Sequence, residues 1–350
     1  MERLELDADT AATLRALHEG RLPWTLHQAC EYGSDPGQWG ASLVNDWEVV
    51  LACLDAAGPG AIVEVGAFAG DVTRVLLEWA GEHDARVLAI EPYPKEPLEE
   101  LAEERSELEL VRHTSLDALG DLPPVDAAII DGDHNYYTVS EELRLIAGTV
   151  SEGGLPLLLF HDAGWPHARR DDYYDPELVP DEYRHPTEEG GNVFPGSSAV
   201  RDGGLPYRFP AAHEGGPRNG VLTAIEDFVA EREGLRLAVV PAFFGLGVVW
   251  HEDAPYADDV AAVVEHWDRN PLVQRLEANR VFHLASVHHQ LMRVREARER
   301  VARQEAVIRR LLGSSAFAVA ERLSRLRDRV GIARGETIVS KDELRRVLSE

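Results

Sequence analysis

With only two cysteines in 350 residues, Cys30 and Cys53, the chain has no disulfide framework and no cysteine-built zinc site. No stretch approaches the roughly 20 consecutive apolar residues of a bilayer-crossing helix. The N-terminus, Met1-Glu2-Arg3-Leu4-Glu5-Leu6-Asp7, has neither the basic nor the apolar region of a signal peptide. A cytoplasmic protein without a membrane span is therefore expected. Positive charge is scarce as well: 35 Lys and Arg stand against 62 Asp and Glu, a net of −27. The imbalance is uneven. Residues 271–350 hold 17 Lys and Arg against 10 Asp and Glu, a net of +7, which leaves −34 on residues 1–270. A body that acidic repels phosphates, which argues against nucleic acid as a partner. The basic tail suits docking on its own or a neighbour's acidic body. A hydrophobic content of 44% can fill a core, either as one large domain with an appendage or as two domains.

The most informative stretch is Ile62-Val63-Glu64-Val65-Gly66-Ala67-Phe68-Ala69-Gly70-Asp71. It reads as a buried strand that ends in a carboxylate, enters a glycine turn and opens a helix with Val72, Val75 and Leu76 on one face. Glycines without Cβ let backbone N–H groups approach a ligand closely. Gly66 and Gly70 stand four apart with Phe68 between them, so the dinucleotide fingerprint G-x-G-x-x-G fails.

Around this turn the chain alternates strand and helix patterns. Strands are expected at 61–65, 86–91, 108–112, 125–130 and 155–160, and helices near 71–80, 97–105 and 138–148. Pro156 suggests that the fifth strand starts at Leu157. Runs such as Ala127 to Ile130 read as buried on both faces, the mark of a parallel sheet. The rhythm breaks at 163–219, whose aromatics are too many for disorder and which reads as a substrate-covering insertion. A helix from Val221 to Arg232 and two closely connected strands, 235–240 and 245–250, complete the pattern. Helices are also expected at 1–20, at Trp39 to Ala56 and over 255–332. Val287, Val294, Val301 and Ile308 repeat every seven residues, a partial coiled-coil seam that serves either self-association or packing on the body. The expected organisation is N-terminal helices at 1–58, an α/β domain at 59–254 and a helical region at 255–350.

In open α/β sheets, ligands bind beyond the carboxyl ends of the strands. Those ends carry Glu64, Glu91, Ser115, Asp131-Gly132-Asp133-His134 and His161-Asp162. Glu91 is placed to accept ribose hydroxyls and Ser115 to contact an adenine edge. Each alone could be a helix cap. Five polar groups at five consecutive strand ends are hard to assign to caps.

The acidic-x-Gly-x-x-x-Gly turn resembles the first motif of class I S-adenosylmethionine-dependent methyltransferases. Together with Asp131-Gly132-Asp133-His134 and Phe160-His161-Asp162, it resembles metal-dependent O-methyltransferases, notably the macrocin-type sugar O-methyltransferases and more distantly catechol O-methyltransferase. The resemblance covers roughly residues 60–250. It implies a doubly wound, Rossmann-like α/β sheet of seven strands with an antiparallel last strand. It also implies S-adenosylmethionine held by Glu64, Gly66, Ala67, Phe68, Gly70, Glu91 and Ser115. Asp131, His161 and Asp162 would hold a divalent metal, Mg²⁺ or Mn²⁺, with His134 as the base. Relatives carry a carboxylate where this chain has His161, and imidazole suits Mn²⁺, Fe²⁺ or Zn²⁺ better than Mg²⁺.

In the insertion, Trp165, Arg169, Arg170 and Tyr173 are candidates to contact a hydroxylated ring compound; Arg169 and Arg170 could equally offset nearby acids. The expected activity is methyl transfer to a hydroxyl of a sugar or glycosylated metabolite, with a homo-oligomer formed through the C-terminal helices. A catechol or phenol acceptor, a related hydroxylase and a non-catalytic scaffold are the alternatives.

Overall fold

The computed structural model describes residues 42–148, 154–330 and 339–349. The helix expected at 1–20 lies outside these residues. A 3₁₀ turn at Leu43–Asp46, capped by the Ser42 hydroxyl, leads into α1 (Trp47–Ala57), which ends at Gly58 in the left-handed conformation. There follow β1 (Ala61–Val65), α2 (Asp71–His83), β2 (Arg86–Ile90), α3 (Glu96–Glu104), β3 (Leu108–Val111), α4 (Ser115–Ala118), β4 (Ala127–Ile130), α5 (Tyr136–Gly148) and β5 (Leu157–Phe160). After the insertion come α6 (Val221–Ala230), β6 (Leu235–Val240), β7 (Leu246–His251) and α7 (Ala257–Val264).

The seven strands form one sheet in the order β3-β2-β1-β4-β5-β7-β6. The first five are parallel, and β7 runs antiparallel to both neighbours, with Leu158 opposite Val249 and Val240 opposite Leu246. The period of two along each strand divides the sheet between two cores. Ile62, Val87, Ala89 and Ile129 point to the face covered by α1, α2, α3 and α7. Val63, Val65, Leu88 and Ile130 point to the face covered by α5 and α6. This is the doubly wound α/β architecture, and it puts every parallel strand's carboxyl end on one edge.

The insertion is ordered without long elements. It holds 3₁₀ turns at Pro176–Leu178 and Asp181–Tyr183, a two-residue pairing of Asn192–Val193 with Leu205–Pro206, and single bridges that tie Asp172 to His134 and to Pro210. Beyond α7 lie α8 (Pro271–Gly313), α9 (Ser315–Arg329) and α10 (Lys341–Ser349). The chain divides into two compact units, one up to His288 and one from His289. The break falls well after the expected 254/255. The reason is that Ala257, Val260 and Val264 bury into the sheet's first core, and Val281, Leu284 and Ala285 into a small cluster with Phe244 and Leu205. In the single chain, Val287, Val294 and Val301 are exposed. No helix among the described residues is long and apolar enough to cross a membrane.

Candidate functional site

Local chemistry shapes the turn after β1. Gly66 has φ +88°, and a Cβ there would meet the Asp131 carbonyl oxygen at 2.2 Å, so only glycine lets β1 and β4 end this close together. Gly70 (φ +84°) caps α2, where a Cβ would press on Leu101. Phe68 also sits at positive φ, with its ring exposed. Its amide donates to Glu91 Oε2 at 2.9 Å, and the Tyr93 amide donates to Glu91 Oε1 at 2.9 Å. Glu91 therefore ties two loops together, and each oxygen keeps a second lone pair for a ligand. Glu64 is buried and accepts from the Thr73 hydroxyl at 2.7 Å. Burial pushes its carboxyl up to about 8, with Thr73 pulling the other way.

These residues line a cavity of about 750 Å³. Glu64, Gly66, Ala67 and Phe68 form one wall, Glu91 and Ser115 another, and Asp131, Gly132 and His134 the far end. Gly70 stands just outside the lining, between Ala69 and Asp71, which belong to it. Ser115 begins α4, but the cap is Thr114, whose hydroxyl accepts from the Asp117 amide.

At the far end two histidines and two aspartates converge. His161 Nδ1 lies 3.1 Å from Asp131 Oδ1 and 3.3 Å from Asp162 Oδ2, while its Nε2 is 2.9 Å from the Phe243 carbonyl oxygen. His134 Nε2 is 3.0 Å from Asp162 Oδ2. Ligand atoms of Asp131, His134 and Asp162 all fall within 4.8 Å of one another. Asp162 adopts φ +58°, a left-handed conformation uncommon for residues other than glycine and among them best tolerated by asparagine and aspartate. Burial disfavours charge on His134, yet the Asp162 carboxylate outweighs it and the group is raised to about 9. His161 is raised well above the usual imidazole range, against its burial, by Asp131 and Asp162. Asp162 is held well below the carboxylate range, also against burial, by His161 and His134. The two carboxylates draw protons onto both neighbouring imidazoles, and a cation bound between them would take over the charge that those protons now offset.

The loop carrying His134 is fixed from both sides. Asp133 accepts from the His134 amide, from Asn135 Nδ2 and from the Thr138 hydroxyl, and the Asp172 amide donates to the His134 carbonyl. The His134 ring stacks on His167 with centroids 4.6 Å apart. Burial depresses His167 to about 3, which keeps that neighbour neutral.

The four insertion candidates do not line the cavity. Trp165 packs against Val193, Leu205 and Phe244. Arg169 binds Glu226 and Thr223 on α6. Arg170 is buried and donates to the Ala211 and Ser198 carbonyls. The Tyr173 hydroxyl donates to Asp171. Their polar groups hold the insertion together, and the residues that reach the cavity are Tyr174, Asp175, Leu178 and Val179. Buried and exposed positions alternate over Asp171 to Tyr174, so the period-two rule points Tyr174 outward once Tyr173 points in.

Residues 63–163 match the family model described as a methyltransferase domain. No curated protein matches the chain. Among solved structures, the S-adenosylhomocysteine-bound methyltransferase PaMTH1 of Podospora anserina is similar at 17% identity, covering 72% of this chain and 100% of that one, with a TM-score of 0.38. The O-methyltransferase TomG of Streptomyces achromogenes, solved with S-adenosylmethionine, is similar at 14% identity over 72% of this chain and 92% of that one, also with a TM-score of 0.38.

Proposed function

We propose that this chain methylates a hydroxyl of a sugar or sugar-bearing metabolite from S-adenosylmethionine, with His134 as the base beside a divalent-cation site. The observation that carries the reading is the hydrogen-bonded pair of His134 and Asp162 at one end of a cavity whose other walls are the glycine turn and Glu91. When bound, S-adenosylmethionine supplies an electrophilic methyl group, and a divalent cation supplies charge that makes a hydroxyl more acidic. Glu64, Gly66, Ala67, Phe68 and Gly70 would hold the amino-acid part of the cofactor, Glu91 its ribose and Ser115 its adenine.

Asp131, Asp162 and His161 would hold the cation. The His161 Nε2 proton faces the Phe243 carbonyl, so Nδ1 is the nitrogen that would ligate once a cation displaced the proton it shares with Asp131 and Asp162. Asp162 and Asp131 hold His134 protonated while their charge is unmet; a cation on those carboxylates would offset that charge and favour the neutral ring, whose Nε2 proton faces Asp162 and whose Nδ1 would then accept the hydroxyl's proton. Stacking on neutral His167 keeps the ring in place without adding a competing charge. Tyr174 and Leu178 would cover the acceptor and exclude water.

A second reading has its own observation. Protonated His161 bridges Asp131 and Asp162 through Nδ1 and so fills the place of a cation, which would let His134 act without metal. Assays on glycosides and catechols with and without EDTA decide. The first reading expects loss of methyl transfer with EDTA and recovery with Mn²⁺ or Mg²⁺; the second expects no effect of EDTA. Transfer to neither acceptor class overturns both. Self-association through residues 284–312 belongs to the same proposal, and the exposed Val287, Val294 and Val301 support it. Light scattering of a chain ending at His288 should then report a monomer.

A further inference from the structure

Exposed apolar surface on the α/β body is confined to one place. Between Ser42 and the end of α7, the large apolar side chains left exposed among the described residues are Phe68, Tyr93, Tyr174 and Leu178, at 60%, 66%, 61% and 71%. All four line the cavity that holds the glycine turn, Glu91 and His134. The rest of the body keeps such side chains inside. An apolar patch gathered at a cavity mouth is a surface for a ligand.

Three separate segments build it. Phe68 comes from the turn after β1, Tyr93 from the loop after β2, and Tyr174 and Leu178 from the insertion. The Tyr93 and Tyr174 rings stack across the mouth, with centroids 6.5 Å apart and planes inclined by 22°. Tyr174 also adjoins the reactive end, because its amide donates to Asp133 Oδ1 at 3.4 Å on the loop that carries His134. A ring held at the mouth therefore lies next to whatever occupies the His134 end.

Charge narrows what that ring can belong to. Seven acidic side chains line the cavity, against Lys95 and His134. Two cations reach the mouth, Lys95 at 5.2 Å from the Phe68 centroid and Arg208 at 5.7 Å from that of Tyr174, and both rest over ring faces. On a body whose residues 1–270 carry −34, this balance opposes a ligand with several negative charges. A sugar on a nucleoside diphosphate brings a flat base but also that charge. A sugar on an uncharged aromatic aglycone brings the ring without it.

We propose that the acceptor is an uncharged glycoside whose aromatic aglycone docks on Phe68, Tyr93, Tyr174 and Leu178 and presents a sugar hydroxyl to His134. Contacts to this non-reacting part position the hydroxyl. A glycosyl-transfer reaction must then precede this methylation, since the sugar arrives attached to the ring and not as a nucleotide-activated donor. The inference rests on the methyl-transfer reading above and names the acceptor for it.

Calorimetry on the full chain saturated with S-adenosylhomocysteine tests it, with phenyl glycosides of the common hexoses, the matching methyl glycosides and the matching uridine diphosphate sugars as probes. The best phenyl glycoside should bind about tenfold or more tighter than its methyl counterpart, the usual worth of burying a ring, and the uridine diphosphate sugar should bind weakest. Tyr93→Ala combined with Tyr174→Ala should bring the phenyl and methyl glycosides to near parity; both rings are exposed, so neither change opens the core. A phenyl glycoside that binds no tighter than the methyl one, a uridine diphosphate sugar that binds tightest, or a double variant that keeps the preference overturns the aglycone assignment alone. A chain that fails to bind S-adenosylhomocysteine overturns the cofactor reading instead.

Discussion

Strand ends and insertion both gather charged and aromatic side chains around His134, but they use them in opposite ways. In the insertion, Asp171 accepts three hydrogen bonds, and Arg170 reaches two loop carbonyls although it is buried. At the strand ends, Glu64 accepts one hydrogen bond, and the aspartates beside His161 and His134 crowd together. The difference does not lie in hydrogen-bond completeness, since Trp165 Nε1, His167 Nδ1 and Arg170 Nε in the insertion also lack partners among the described residues; it lies in the like charges that the strand ends crowd together around His161 and His134. Composition alone cannot separate the two, because a guanidinium facing a carbonyl and one facing a ligand are the same residue in the sequence.

The sharpest way to break this comparison is to remove one group from each side. His134→Ala should lose roughly 10²–10⁴ in turnover, the worth of a positioned base, with S-adenosylhomocysteine affinity unchanged. Normal turnover on an identified acceptor would reduce His134 to an orienting role. On the other side, Asp171→Ala strips the acceptor from two backbone amides and a tyrosine. It should cost about 3–5 kcal/mol in urea melts, as for other buried charges that lose their network. A melt like that of the wild type would mean that the insertion is held by its apolar contacts instead.

The smallest expected effect is in the pH dependence of stability. Glu142 on α5 is fully buried, and its folded carboxyl titrates near 8 against 4.5 for the free group, so the fold prefers its protonated form. Its contribution is complete below about pH 4.5 and is lost as pH rises through about 8. Ligand-free protein should therefore melt lower at pH 8.5 than at pH 5. Glu142→Leu should flatten that slope in part, since Glu64 titrates in the same window. An identical slope in the variant would show that Glu142 titrates as an ordinary carboxyl.

Much of the fold was legible because sheet burial writes itself into the sequence. The run Ala61 to Val65 is apolar around one acid and is closed by glycine, and it is β1 residue for residue. Pro156 cannot donate to a ladder, and β5 starts at Leu157 as that predicts. The antiparallel last strand is β7, inserted between β5 and β6. Less legible were features that depend on distant contacts. The helix expected from Trp39 begins as a 3₁₀ turn at Leu43. The body extends past residue 254 because α7 has an apolar face that only the assembled core can cover. Tyr173 and Tyr174 are adjacent and chemically alike, and only strand-like alternation sends one inward and the other to the cavity. The burial of Glu142 gave no signal at all, since an acid on an amphipathic helix normally faces water.

Calorimetry with S-adenosylhomocysteine on the wild type, Glu64→Ala and Glu91→Ala tests the central claim most directly. One saturable site is expected in the wild type. Glu91→Ala should lose roughly 1.5–3 kcal/mol, the worth of hydrogen bonds to a charged acceptor, and Glu64→Ala should also bind more weakly. Unchanged affinity in both variants would contradict the account, because the carboxylates that end the first two strands would then hold no part of the cofactor.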